Sequence, residues 1–158
     1  MAVYMNVEGT KSIKGTVTQK KHDGWIALNS VKLPTERPDV NTAPGKVTDR
    51  TTSQVDFKDI EISKRMDKAS PELMQWNIDG STHKVTIDIC KEGGEVVLRM
   101  IMTDVILTNY DCEGDEEGKV EETLSLDYTK IQMDFTTYKA DNTTPDGSRS
   151  VIYDLAKA

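Results

Sequence analysis

The sequence predicts a mostly β fold with one short helix and one long arm. Apolar residues recur at every second position along most of the chain, as in half-buried strands. Ser70-Pro71-Glu72 is the one clear helix start. In three segments the apolar positions switch between odd and even, which predicts sheets that turn corners, as in a small barrel or sandwich, the alternative being sheets buried on both faces.

Val3, Met5 and Val7 alternate with Tyr4, Asn6 and Glu8, so the opening segment reads as a strand. Strands are also expected from Trp25 to Leu33 and from Val55 to Ser63. Between them lies an arm from Pro34 to Ser53, rich in Thr, Asp, Asn and Pro and without apolar period. It is too long for an ordinary connection, so it reads as an extended functional arm or a disordered insertion, and the arm is the favoured reading because such a length in one compact domain calls for something to pack on.

The helix is expected over about 70–79. Ser70 can cap it, Pro71 suits its first position, Glu72 suits its positive end and Gly80 can stop it. Leu73, Met74, Trp76 and Ile78 form the arc expected to face a sheet. Val85, Ile87 and Ile89 follow as a strand, and Lys91-Glu92-Gly93-Gly94 should turn it into Val96–Met102. The run to Tyr110 exceeds one ordinary straight strand, so a bend is expected near Thr103-Asp104.

An acidic loop from Asp111 to Glu122 should lead into the last major segment, Thr123–Tyr138. The parity switches fall at Ile26/Leu28 to Val31/Leu33, at Val55/Phe57 to Ile60/Ile62, and near Thr129-Lys130. Pro145-Asp146-Gly147 reads as a turn returning the chain through Val151, Tyr153 and Leu155.

With 158 residues the chain is long enough for one self-sufficient core and is expected to form a single domain over 1–158. A net charge of −7 argues against nucleic-acid or anionic-membrane partners, which need a basic surface. Met1–Gly9 has neither the basic start nor the apolar run of a signal peptide or spanning helix, so a cytosolic origin is expected. On that reading Cys90, in a strand, and Cys112, in the acidic loop, are expected as free thiols.

No catalytic constellation can be proposed. His22 and His83 lack metal-ligand spacing to other donors and are expected to be exposed or structural. Asp111–Gly118 superficially resembles a calcium loop, but Glu116 stands where that loop needs glycine. Gly93-Gly94 has neither a phosphate-binding lysine nor a following helix, and Asn142-Thr143-Thr144 has glycosylation spacing without an export context. No cofactor or metal is expected, and no enzyme.

Asp67-Lys68-Ala69-Ser70-Pro71-Glu72-Leu73-Met74, then Lys91-Glu92-Gly93-Gly94-Glu95, then Thr103–Asn109 and Thr123–Ile131 resemble, in that order and spacing, the haemolysin-coregulated protein (Hcp) family of bacterial type VI secretion. The resemblance spans nearly the whole chain. It implies a small two-sheet β-barrel with one flanking helix, assembled as hexameric rings that stack into a tube. It further implies expulsion by a contractile sheath, contact with spike and baseplate components, effectors held in the lumen, and secretion without a cleavable leader. Ser70, Pro71, Leu73, Trp76, Gly93 and Gly94 are its structural landmarks.

The arm, with Pro34, Pro38, Val40, Ala43, Pro44, Gly45 and Val47, corresponds to the family's loop toward a neighbouring subunit or ring. Here it is Thr/Asp/Pro-rich where many relatives are glycine-rich, and Asn29–Lys32 lacks tryptophans often seen there. Other readings are a tube protein of a related contractile injection particle or phage tail, and a small β-barrel holding an apolar ligand.

Overall fold

A computed structural model describes residues 1–9, 12–36, 55–141 and 143–155. The elements are β1 (Ala2–Glu8), β2 (Ile26–Leu28), β3 (Ser30–Lys32), β4 (Thr35–Glu36), β5 (Asp56–Phe57), β6 (Ile60–Arg65), α1 (Ser70–Asp79), β7 (His83–Cys90), β8 (Val96–Gly114), β9 (Val120–Asp127), β10 (Lys130–Tyr138) and β11 (Pro145–Asp154). The fold is mostly β with one helix, as expected.

Two antiparallel sheets share β8. Its first half pairs with β7 on one side and β10 on the other, giving the order β2-β1-β7-β8-β10-β11. Its second half pairs with β9, giving β8-β9-β6-β3. The bend expected near Thr103-Asp104 is where β8 changes sheets: Asp104 has φ 52, and the buried positions shift from Met100 and Met102 to Val105 and Leu107.

The other parity switches have the same cause. β2 pairs with β1 and β3 with β6, yet only Asn29 separates them, so one stretch of chain leaves one sheet and enters the other. Among the described residues β5 pairs only with β4, whereas β6 joins β9 and β3. Tyr128 and Thr129 carry the chain from β9 in one sheet to β10 in the other. The barrel expectation needs one correction: the ladder is not closed, because β2 and β3 end separate sheets instead of pairing with each other.

A single apolar cluster fills the space between the sheets, with Met5, Val7, Ile26, Ile60, Ile62, Leu73, Trp76, Ile87, Met102, Leu107, Leu124 and Leu126 all buried. Segment 12–25 meets β1 through a bridge from Ile13 to Val7 and closes on itself through the bonds Gly15 N to Gly24 O (2.8 Å) and Val17 N to Trp25 O (3.1 Å).

Two boundaries differ from expectation. β8 continues to Gly114, so Cys112 lies on an exposed strand and the loop shrinks to residues 115–119. Pairing of Gly114 with Val120 overrides the acidic, low-propensity composition. Pro145-Asp146-Gly147 is the start of β11, since Tyr138 pairs with Pro145. Asp141 makes the turn instead, accepting from Thr143 N, Thr144 N and Thr144 Oγ1. Proline is tolerated at the first residue of an edge strand.

Candidate assembly surface

α1 is held to the sheets by charge as well as by apolar packing. Leu73 and Trp76 enter the core, and Trp76 Nε1 donates to Ser81 O at 2.7 Å. Lys64 on β6 is fully buried, and its Nζ donates to Glu122 Oε1 (2.9 Å), Asp67 Oδ1 (3.0 Å), Arg65 O (2.8 Å) and Ser70 Oγ (3.2 Å). Ser70 Oγ donates to Glu122 Oε1 at 2.5 Å, and Tyr110 Oη donates to Glu122 Oε2. Burial, then the Glu122 contact, hold the Tyr110 phenol well above its usual range.

This corrects the reading of Ser70 as a helix cap. Ala69 occupies that position with no side-chain bond, and Asp67 Oδ1 accepts from Ala69 N at 2.9 Å. Ser70 faces inward because the buried Lys64 and Glu122 need its hydroxyl. Pro71 sits in the first turn, and Gly80 ends the helix with φ 65. Half of the expected apolar arc is exposed: Met74 (52%) and Ile78 (68%) point to solvent, because the face set by Leu73 and Trp76 leaves them outside.

The hairpin forms as expected. Gly94 N donates to Lys91 O at 2.9 Å, with Gly94 at φ 91, the left-handed region glycine adopts readily. Beside it lies a cluster that local sequence did not reveal. His22 is fully buried, with Nε2 2.8 Å from Asp88 Oδ2 and Nδ1 2.6 Å from Gln19 Oε1. Arg99 Nε and Nη2 donate to Asp88 Oδ1 and Oδ2 at 2.8 and 2.7 Å, a fork that raises the guanidinium's affinity for its proton. His22 is thus structural and not exposed. The β7–β8 register sets Asp88 against Arg99, and the turn that holds His22, with His22 N donating to Gln19 O and Trp25 N donating to His22 O, brings the imidazole to them.

His83 is also structural, 7% exposed, packed edge-on against Trp76 and 3.0 Å from Ser81 Oγ. Cys90 is buried and Cys112 exposed, both free; burial, followed by Asp88, pushes the Cys90 thiol up to about 11. Among the described residues no three His, Cys, Asp or Glu side chains converge as a metal site, and no helix is long and apolar enough to cross a membrane.

At the base of the arm, Thr35 pairs with Phe57 and Glu36 with Asp56, Pro34 O accepts from Lys58 N, and Lys58 Nζ meets Glu36 Oε1 at 2.9 Å. Pro38, Val40, Ala43, Pro44, Gly45 and Val47 lie outside the described residues.

The surface most in need of a partner is the β10–β11 ribbon. Among the described residues β11 pairs only with β10, and its residues 145–152 are exposed on both faces. Phe135, Val151 and Ile152 stand 46%, 67% and 58% exposed. Native edge strands are usually short, charged or covered.

Among the described residues these features define a mostly β protein whose one helix is strapped across two sheets with a shared, bent central strand and open ends. Residues 4–135 match the family described as "Type VI secretion system effector, Hcp", and the chain belongs to that family. A comparison with curated proteins matches none. Among solved structures, one described as a type six secretion system protein superposes with a TM-score of 0.88 at 18% identity, covering 99% of this chain and 96% of that one. A type VI secretion effector from Yersinia pestis gives 0.73 at 23% identity, covering 96% and 98%. Hcp1 from Salmonella typhimurium gives 0.75 at 19%, covering 99% and 97%. At these identities the superpositions establish a shared fold.

Proposed function

We propose that the chain is a structural, non-catalytic subunit of the type VI secretion tube. Copies close into hexameric rings, rings stack, and a contractile sheath expels the tube with effectors carried in its lumen. The subunit is made in the bacterial cytoplasm and is exported by the secretion machine, meeting the sheath and the spike and baseplate components. The arm from Pro34 reaches an adjacent subunit or ring, and the whole chain serves as one tube domain.

The observation that supports this most is the set of open sheet ends. Among the described residues one sheet ends at β2 and β11, and the other ends at β3 and at residues 109–114 of β8, which pair only with β9. Unpaired edges template association with other chains, and a closed ring removes them. The ligand-binding barrel loses support because the ladder stays open and packed side chains fill the space between the sheets. A phage-tail relative would share the architecture; the family match favours type VI secretion.

Negative-stain imaging of the purified protein tests the proposal. Rings with six-fold views are expected, and a field of separate small particles at every concentration would overturn it.

A further inference from the structure

His22 is fully buried with an acceptor in front of each ring nitrogen, and a neutral imidazole cannot satisfy both. Nε2 lies 2.8 Å from Asp88 Oδ2, and Nδ1 lies 2.6 Å from Gln19 Oε1. Asp88 is a carboxylate that also accepts from Arg99 Nε and Nη2, so it has no proton to offer the ring. The Gln19 amide is fixed by a second donor. Lys21 N donates to the same Oε1 at 3.1 Å, and turning the amide round would set its NH2 group against that N–H. Both ring nitrogens therefore need a proton, which only the imidazolium carries.

We infer that His22 is a pH-sensitive latch, which as the cation ties the Gln19–Lys21 turn to β7 and as the neutral ring releases it. With one proton left, the ring keeps the stronger of its two bonds. That is the one to Asp88, a charged and fully buried acceptor, so the proton stays on Nε2. Nδ1 then meets Gln19 Oε1 lone pair to lone pair, and the amide must swing away or turn round. Either movement takes the acceptor from Lys21 N, so the change passes from the ring to the backbone of the turn.

The groups around the ring leave His22 as the one that changes charge. Asp88 and Cys90 face it from β7, with Cys90 Sγ 3.8 Å from Nε2, and burial followed by Asp88 pushes that thiol up to about 11. Tyr4 of β1 lies against the ring and Trp25 stands edge-on to it. Arg99 of β8 reaches the site through Asp88, with Asp134 of β10 beyond it, and Glu95 acts from the hairpin on Cys90. Lys20, Lys21 and Asp23 of the turn itself are exposed. Of these side-chain types only imidazole ordinarily changes charge between about pH 5 and pH 8. The turn also walls a cleft of about 680 Å³ that Lys21 shares with Val96, Arg99, Tyr138 and Ser148. Gln19 rests on the hairpin, where a Cβ on Gly94 would stand 2.2 Å from Gln19 Nε2. Release of the turn thus loosens it from the hairpin and reshapes that cleft.

The test is a pH titration of the full chain with ¹⁵N-histidine as its only label. Long-range ¹H–¹⁵N correlation reads the rings, and contacts with Tyr4 and Trp25 distinguish His22 from His83. Both nitrogens of His22 should carry protons near pH 5, and Nε2 alone near pH 8, about the span in which imidazole titrates. Hydrogen exchange, read by mass spectrometry and corrected for its intrinsic pH dependence, follows the turn. Protection of the Lys21 amide should fall about tenfold over the same interval, as for loss of one hydrogen bond, while that of Ile87 in β7 holds. Gln19→Glu sets a carboxylate before Nδ1 and should move both transitions to higher pH. Gln19→Met should leave the ring titrating and the Lys21 amide unprotected throughout.

A ring that keeps a single protonation state across the interval would overturn the latch. So would a Lys21 amide whose protection holds while the ring titrates, or transitions that Gln19→Glu leaves in place. The wild-type titration decides the matter by itself if either variant fails to fold.

Discussion

The pairing of Lys64 with Glu122 makes a quantitative prediction about what holds α1 in place. Both side chains are fully buried, and Glu122 accepts from Lys64, Ser70 and Tyr110. Lys64→Met removes the only cation in this cluster and leaves the Glu122 carboxylate facing two hydroxyls. Breaking a buried pair on one side costs about 3–5 kcal/mol, because the remaining charge is neither hydrated nor matched. For a chain of this size each kcal/mol lowers Tm by about 2–4 °C, so Lys64→Met should melt about 6–20 °C lower.

The double change Lys64→Met with Glu122→Leu replaces both charges by apolar groups and should recover most of that loss, with a coupling of about 2 kcal/mol or more. Urea unfolding of wild type, both single variants and the double variant, at one protein concentration, gives the cycle. Losses within about 1 kcal/mol for Lys64→Met, or single effects that simply add in the double variant, would refute the reasoning.

Gly15→Ala should destabilise the N-terminal segment by about 1–3 kcal/mol, since a Cβ there would lie 2.3 Å from Trp25 O and 2.6 Å from Ile26 Cα; an unchanged urea midpoint would contradict this. Tyr128 is raised to about 12, mainly by burial and then by Asp59, Asp127 and Asp56. Its neutral form is favoured in the fold, so stability should be full below the ordinary tyrosine range and fall as pH rises from about 10 toward 12. Tyr128→Phe should reduce that alkaline loss, read from denaturation midpoints across the interval. Ala43→Glu in the arm should weaken ring stacking while leaving the thermal melt of the subunit unchanged, and tubes of ordinary length by electron microscopy would remove the arm from the stacking contact.

The elements that local chemistry specifies were legible in the sequence. Pro71 and Gly80 bracket the helix, Gly94 supplies the left-handed turn residue, and each parity switch marks a place where the chain changes sheets. Barrel closure was not legible, because it depends on whether β2 and β3 meet, which apolar period does not encode. Nor were the two buried polar clusters: Asp88 and Arg99 are brought together by strand register and His22 joins them from a turn, and Lys64 with Glu122 reads locally as ordinary surface charge. Their signal was indirect, in a lysine and a glutamate at positions where the alternation of β6 and β9 calls for inward residues: Lys64 follows Ile60 and Ile62, and Glu122 precedes Leu124 and Leu126. Cys112 and Pro145 were misplaced for a related reason, since cross-strand pairing overrides weak local propensity.

The most direct test of the tube account is the mass of the purified protein in solution, by light scattering coupled to size-exclusion chromatography over a wide concentration range. The account predicts a species of about six times the 17.7 kDa chain mass, with larger stacked species as concentration rises. A single species at the chain mass across the whole range would contradict it.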